Sequence, residues 1–251
     1  MNDDLQLALQ LADASDAITM QHFQSATLGV RTKSDRTPVS EADEAVERMI
    51  RETLAKERPN DAIVGEEFGS AEGERRWIID PIDATKNYIR GIPVFATLIA
   101  LENVVGVVSA PTLHQRWWAA RGEGAFCNGR RIHVSQIDTI EEASLAFDDV
   151  GVSDDVIAFF RRFPRARGFG DFWGHMLVAE GAVEVCFEPQ VSLWDVAAAK
   201  VIVEEAGGRF DFPATSTNGV LHDAVLEALG PSSGLWPPSA RAAGSEAGGE
   251  G

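Results

Sequence analysis

The chain has 251 residues, of which 22 are Lys or Arg and 39 are Asp or Glu, so its formal net charge at pH 7 is −17. An isoelectric point near 4.6 argues against a nucleic-acid or anionic-membrane partner, because both require a basic surface. The 45% hydrophobic and 24% charged residues exclude wholesale disorder, and the length suits one large domain or two modest ones.

The N-terminal half predicts two helices followed by a sheet. Apolar residues recur at helical spacing over residues 3–25, and again after Ser40, which is an N-cap residue type; Pro59-Asn60 ends this second helix. Strand-like segments follow at residues 62–64, 77–79, 94–101, 104–109, 117–120 and 131–134. We expect these strands to share one sheet, with a tight hairpin at Glu102-Asn103.

From about residue 140 the pattern changes to alternating strands and helices. Strands are predicted at 144–147 and 183–187, and helices at 154–163, 174–180 and 195–206, the last ended by Gly207-Gly208. The sequence thus predicts an N-terminal α+β subdomain, residues 1–140, and a C-terminal α/β subdomain, residues 141–230. Residues 231–251 predict a disordered tail, because they are Gly, Ala, Pro or Ser except for Leu235, Trp236, Arg241, Glu246 and Glu250.

The two cysteines, Cys127 and Cys186, are too few for a disulfide framework and form no Cys-x-x-Cys pair. We therefore predict two reduced thiols, as in a cytoplasmic protein. The first residues, 1–4, are acidic where a signal peptide would be basic, and no apolar run approaches the ~18 residues of a membrane span. These features favour a cytoplasmic protein without a membrane partner.

The segment WIIDPIDAT, residues 77–85, carries the strongest chemical signal. An apolar strand delivers Asp80 to its carboxyl end, and Pro81 keeps Asp80 extended while turning the chain. Asp83 then returns beside Asp80, and two carboxylates so close repel unless a cation lies between them. Oxygen ligands favour Mg²⁺ or Mn²⁺ over zinc. The alternative is that both aspartates are ordinary turn residues beside a proline.

Three further acidic segments are ambiguous when taken singly. Glu66 and Glu67 follow a strand, where a solvated turn is more typical than a functional site. Asp195 opens a predicted helix, and an acidic residue there complements the helix dipole without any chemistry. Ser40 and Asp43 have the spacing of a capping box.

Taken together, these segments resemble the ordered motifs of the inositol monophosphatase superfamily over roughly residues 3–229. The motifs are TPVSEAD at 37–43, GEE at 65–67, DPIDATKN at 80–87, WDVAA at 194–198 and EAGG at 205–208. Within the superfamily, residues 89–101 and 167–173 look most like histidinol-phosphate phosphatases. The resemblance implies an α/β (α+β) fold, an αβαβα layered sandwich, and a Mg²⁺-dependent phosphomonoesterase of histidine biosynthesis. It also implies a small phosphorylated substrate and a homodimer.

The resemblance further implies roles for individual residues. Two or three Mg²⁺ ions, or Mn²⁺, would be held by Glu66, Asp80, the Ile82 carbonyl, Asp83 and Asp195. Thr85, hydrogen-bonded to Asp43, would orient the attacking water together with Glu66. The backbone N–H groups of Ala84 and Thr85 would bind phosphate. A cationic amino-imidazole substrate would contact the carboxylates of Asp171 and Glu188 and the aromatic face of Trp173. The alternative for Trp173 is a position in the core.

One motif position departs from the family, because Ala84 stands where relatives have glycine. The segments at 102–103, 148–155 and 212–217 are also short. Two alternatives stay open: an inositol or broad-specificity sugar monophosphatase with the same metal core, and a catalytically impaired metal-binding protein. A haloacid-dehalogenase phosphatase is disfavoured, since its Asp-x-Asp is here Asp-x-x-Asp.

Overall fold

The structure is a computed structural model that describes residues 2–25, 27–32, 38–148, 154–189, 191–211 and 215–229. The predicted tail at 231–251, and parts of the short segments at 148–155 and 212–217, lie outside these residues. The helices are α1 Asp3–His22, α2 Glu41–Glu57, α3 Thr85–Ile89, α4 Asp154–Phe160, α5 Asp171–Ala179, α6 Leu193–Glu205 and α7 His222–Leu229. None of the described helices is long and apolar enough to cross a bilayer.

The strands form two large sheets and one short ribbon. The ribbon is β1 Val30–Thr32 with β2 Pro38–Ser40. The first large sheet contains β3 Ala62–Gly65, β4 Gly69–Ser70, β5 Arg76–Asp83, β6 Ala96–Leu101, β7 Val105–Ala110, β8 Gln115–Ala120, β9 Gly124–Cys127 and β10 Arg130–Ile132. The second contains β11 Ser144–Phe147, β12 Arg165–Arg167, β13 Val185–Phe187, β14 Arg209–Asp211 and β15 Thr215–Thr217.

The eight strands of the first sheet run in the order β10-β9-β8-β7-β6-β5-β3-β4, so the strands predicted for the N-terminal half do share one sheet. All neighbours are antiparallel except β3 and β5, which are parallel. The hairpin between β6 and β7 has three residues rather than two between the paired Leu101 and Val105. Asn103 in this loop has a φ of 57°, a conformation that asparagine tolerates better than most residues.

A bulge lies at the carboxyl end of β5. From Asp80 to Asp83 this strand advances by three residues while its partner β6 advances by two. The prediction that the chain turns after Pro81 is therefore wrong, because the strand continues to Asp83. The parallel neighbour β3 has already ended opposite Ile79, so the missing N–H of Pro81 falls where β5 has one neighbour only.

The second sheet runs in the order β12-β11-β13-β15-β14, and α5 and α6 pack between the two sheets. On the outer face of the first sheet, α1 and α2 pack through residues such as Leu11 and Ile50 against Ile79. On the outer face of the second sheet, α4 and α7 pack through Phe159 and Val225. The layers are αβαβα, and the predicted fold is confirmed.

One continuous apolar core joins the two sheets. It contains Ile78 and Leu98 from the first sheet, Phe172 and Ile202 from the intervening helices, and Phe210 from the second sheet. The chain passes from one sheet to the other between β10 and β11, close to the boundary expected at residue 140. The division into two subdomains, residues 1–140 and 141–230, stays a prediction.

Candidate functional site

A cavity of about 310 Å³ opens where the carboxyl end of β5 meets the N-terminal ends of α3, α5 and α6. Nearly every residue predicted for the site lines it: Glu66, Asp80, Ile82, Asp83, Ala84, Thr85, Asp171, Glu188 and Asp195. Asp43 and Trp173 are not part of its wall. Asp43 is fully buried directly behind Thr85.

Three carboxylates converge in the cavity. Asp80, Asp83 and Asp195 each place one oxygen within 4.8 Å of the other two. Burial, and then the charge of neighbouring carboxylates, raises the pKa of Asp80 and Asp83 well above their usual range; burial raises the pKa of Asp195 to about 7. Asp80 Oδ1 is buried with no hydrogen-bond partner. A hard divalent cation fits this donor set, because it supplies the positive charge and the ligation that these oxygens lack.

Backbone groups hold two of these carboxylates in place. Asp83 Oδ2 accepts the N–H of Phe172 at 2.7 Å, and Asp195 Oδ2 accepts the N–H of Ser192 at 2.6 Å. Asp195 lies in the first turn of α6, as the helix-dipole interpretation expected. The capping contact and the cavity position coexist, because capping occupies one oxygen of the carboxylate and leaves the other to face Asp80 and Asp83.

The GEE motif is shaped by Glu47, a residue that the sequence did not single out. Its buried carboxylate accepts the N–H groups of Glu67 at 2.7 Å and Phe68 at 3.1 Å, which fixes the loop after β3. A Cβ on Gly65 would lie 2.0 Å from Glu47 Oε1, so a larger residue there would displace the carboxylate that holds the loop. This loop places Glu66 in the cavity wall, where its charge adds to the raised pKa of Asp80.

The capping box predicted at Ser40 is present. The N–H and the hydroxyl of Ser40 both donate to Asp43 Oδ2, at 2.8 and 2.6 Å. The other oxygen of Asp43 lies 3.5 Å from Thr85 Oγ1, which is closer, at 2.9 Å, to the carbonyl oxygen of Ile82. Burial, despite the hydrogen bonds from Ser40, raises the pKa of Asp43 to about 6. The cap of α2 therefore also positions a carboxylate against the first residue of α3.

Ala84 has a left-handed backbone, with φ 65° and ψ 43°, immediately before α3. Glycine adopts this conformation without steric cost, whereas an L-residue with a Cβ is strained by roughly 1–2 kcal/mol. The structure thus provides a backbone reason for the glycine that the family motif has at this position. The N–H groups of Ala84 and Thr85 lie at the cavity end of the helix.

Asp171 and Glu188 also line the cavity, and their charges add to the raised pKa of Asp83. Asp171 also has a left-handed backbone, φ 55°, and α5 begins there, three residues before the predicted start. Glu188 is buried, and its Oε1 has no hydrogen-bond partner. The tryptophan that lines the cavity is Trp194 rather than Trp173, whose ring packs on Phe169 with centroids 5.2 Å apart.

Comparison with known proteins gives a consistent result. The sequence model of the inositol monophosphatase family matches residues 1–233. The chain is 49% identical to a histidinol-phosphatase of Streptomyces coelicolor, covering 89% of this chain and 96% of that protein. It is 48% identical to a histidinol-phosphatase of Mycobacterium tuberculosis, covering 91% and 98%. The extragenic suppressor protein suhB of Bartonella henselae superposes with a TM-score of 0.84 at 28% identity, covering 92% and 100%.

Proposed function

Because this chain belongs to the inositol monophosphatase family, we propose that it is a Mg²⁺-dependent histidinol-phosphatase, which hydrolyses L-histidinol phosphate to L-histidinol and phosphate. The curated relatives with that name match nearly their whole length. The aspartate cluster in the cavity supports the phosphomonoesterase chemistry, and Asp171 and Glu188 in the same lining support the choice of substrate.

Asp80, Asp83 and Asp195, with Glu66 and the carbonyl oxygen of Ile82, would hold the divalent cations. The chemistry that bound Mg²⁺ supplies is neutralisation of phosphate charge and acidification of the attacking water. The Ile82 carbonyl oxygen already accepts a hydrogen bond from the Thr85 hydroxyl, but it has a second lone pair that a metal could use. The buried Asp80 Oδ1, which has no hydrogen-bond partner, supports Asp80 as a ligand, because a cation would satisfy this oxygen.

The other residues of this wall bind and orient the reacting groups. Thr85 and Glu66 orient the water for attack on phosphorus, and Asp43 holds Thr85 from behind. The N–H groups of Ala84 and Thr85 donate to phosphate oxygens, at the positively polarised end of α3. No covalent intermediate is required, since positioning and electrostatics account for most catalysis of phosphoryl transfer.

The single observation that carries the substrate assignment is the buried, unpartnered Oε1 of Glu188 in the cavity wall. A buried acceptor without a donor is costly, and a substrate that brings an N–H removes this cost. Histidinol offers an ammonium and an imidazole N–H, which Glu188 and Asp171 can accept while Trp194 provides an aromatic face. An uncharged cyclitol offers hydroxyls only and gains less from two carboxylates.

The test compares kcat/KM for histidinol phosphate and inositol 1-phosphate with saturating Mg²⁺. We expect histidinol phosphate to be preferred, and Glu188→Gln to reduce the preference by about 10–150-fold, the value of a hydrogen bond to a charged group. Asp80→Asn should abolish turnover of both substrates, because an amide lacks the anionic oxygen. Equal turnover of the two esters would overturn the substrate assignment, and an active Asp80→Asn would overturn the metal assignment.

The cytoplasmic location and the homodimer are further parts of the proposal. The two buried free cysteines agree with a reducing compartment. The homodimer rests on the family resemblance alone, and light scattering of the purified chain tests it.

A further inference from the structure

A second group of metal-binding side chains lies behind the wall that carries Glu188. His175, Cys186 and Glu188 each place one ligand atom within 4.8 Å of the other two. All three residues are buried, with 0%, 0% and 4% of their surface exposed. The group is distinct from the aspartate cluster in chemistry, because it combines nitrogen, sulfur and oxygen donors.

The secondary structure brings these donors together. Cys186 lies in β13 and Glu188 just follows it, and residues two apart in an extended segment point to the same side. That side faces α5, which contributes His175. Gly174 beside it leaves room for the sulfur, since a Cβ there would lie 2.5 Å from Cys186 Sγ.

Two polar atoms of this group lack a hydrogen-bond partner. His175 Nε2 and Glu188 Oε1 are buried and make no hydrogen bond, and the closest approach of the two side chains, from Nε2 to Glu188 Oε2, is 3.4 Å. The other ring nitrogen of His175 is engaged, at 2.8 Å, by Ser216 Oγ on β15. With the ring proton on that nitrogen, the Nε2 lone pair faces Glu188 and Cys186, the arrangement that an outer hydrogen bond gives a histidine ligand.

We propose that His175, Cys186 and Glu188 form a binding site for a borderline-soft divalent cation of the zinc class, adjoining the substrate cavity. Imidazole, thiolate and one carboxylate are zinc ligands, whereas Mg²⁺ prefers oxygen donors throughout. The Cys186 thiol releases its proton to water when it ligates. Glu188 lines the cavity, so a cation would reach the site from there.

One consequence rests on the proposed function. A cation held by Glu188 occupies the carboxylate that would bind histidinol, so Zn²⁺ should compete with histidinol phosphate. The inhibition would persist at saturating Mg²⁺, because the two cations occupy different donor sets.

The experiment titrates Co²⁺ into the full chain with saturating Mg²⁺ and records the near-ultraviolet charge-transfer band of a thiolate bound to cobalt. The aspartate cluster cannot produce this band, since it contains no sulfur. We expect the band in the wild type and in Cys127→Ser, its bleaching by Zn²⁺, and its loss in Cys186→Ser. The chain has only two cysteines, so a band retained in Cys127→Ser assigns the sulfur without any change at the site.

His175→Gln should weaken Co²⁺ binding at least about tenfold, since losing even an outer partner of a metal ligand costs about 10–100-fold in affinity. The absence of a band in the wild type, its loss in Cys127→Ser, or its persistence in Cys186→Ser would overturn the site. Competition by Zn²⁺ is measured separately, as a rise in KM for histidinol phosphate that Cys186→Ser diminishes. A cobalt band in a chain that hydrolyses no phosphate ester would support this site and refute the proposed phosphatase.

Discussion

Two residues in the cavity lining, Ala84 and Asp171, have a left-handed backbone without being glycine. Aspartate tolerates this conformation better than alanine, because its short polar side chain can hydrogen-bond locally. Asp171 is also tied down, since the next residue, Phe172, donates its N–H to Asp83. The strain at Ala84 has no comparable compensation from its own methyl side chain.

We therefore expect Ala84→Gly to stabilise the protein. Relief of roughly 1–2 kcal/mol of strain is partly offset by about 0.4–1 kcal/mol from the greater freedom of glycine in the unfolded chain. A net gain of about 1 kcal/mol raises Tm by about 2–4 °C in a chain of this size. Thermal unfolding measures this rise, and kcat/KM should change by less than about tenfold.

His114→Gly is the matched control, because His114 is exposed and has a φ of 53° in a turn outside the cavity. It should raise Tm without changing kcat/KM. A tenfold kinetic gain in Ala84→Gly with no rise in Tm would mean instead that the methyl group crowds phosphate. No change in either quantity would mean that the methyl is tolerated.

At the scale of elements, the start of α2 is linked to the start of α3 through Asp43. One oxygen of this carboxylate caps α2 with Ser40, and the other approaches Thr85. We expect Ser40→Ala to destabilise the protein by about 0.5–2 kcal/mol, as loss of an N-cap does. It should also lower kcat with little effect on KM, because Asp43 is less well held behind the water-orienting Thr85.

Asn2→Ala provides the comparison. The Asn2 side chain caps α1 by accepting the N–H of Asp4 at 2.9 Å, and it does not line the cavity. A similar loss of Tm with unchanged kcat is expected there. If both variants retained wild-type kcat, the cap at Ser40 would have no role beyond helix stability.

The sequence predicted these elements best where the determining contacts are local. The start of α2 followed from Ser40 and its spacing to Asp43, which are three residues apart. The start of α5 was placed at Gly174 instead of Asp171, because its first turn is fixed by Asp83, 89 residues away from Phe172. The bulge in β5 was missed for a similar reason, since it is defined by register against β6.

The same distinction applies to the site. The order of motifs identified most of the residues that line the carboxylate cavity, because the chain carries them in contiguous segments. The sequence did not indicate that Trp194, rather than Trp173, lines the cavity. Both tryptophans lie at the start of a helix, and only tertiary packing decides which one faces the cavity. The proximity of His175 to Cys186 had no sequence signal, because it depends on how α5 lies on β13.

For the whole molecule, the carboxylate cluster makes stability depend on pH in the absence of metal. Burial raises the folded-state pKa of Asp43 to about 6 and of Asp195 to about 7, from 3.8 in the unfolded chain. The folded protein therefore binds more protons, and the stability from these groups is full below about pH 4 and is lost as pH rises through 6 and 7. A tenfold difference in proton affinity between the folded and unfolded states is equivalent to about 1.4 kcal/mol of stability.

We expect Tm without metal to fall between about pH 4 and pH 7, and Mg²⁺ to reverse most of that fall by binding the ionised carboxylates. At about 100 times its Kd, Mg²⁺ should stabilise the fold by about 2.7 kcal/mol, or about 5–10 °C in Tm. Calorimetry with chelator and with Mg²⁺ across this range tests both parts. Asp195→Asn should flatten the metal-free slope; a Tm that neither pH nor Mg²⁺ moves would contradict the cluster's role.

The core shared by the two sheets has a consequence for synthesis on the ribosome. The inner face of the first sheet, with Ile78 and Leu98, is covered by α5 and α6, which are synthesised after every strand of that sheet. Until residue 205 has left the exit tunnel, that apolar face is bare and vulnerable to aggregation. Asp195 arrives on the same late helix, so a nascent chain that stalls near residue 140 possesses neither a closed core nor a complete cation site.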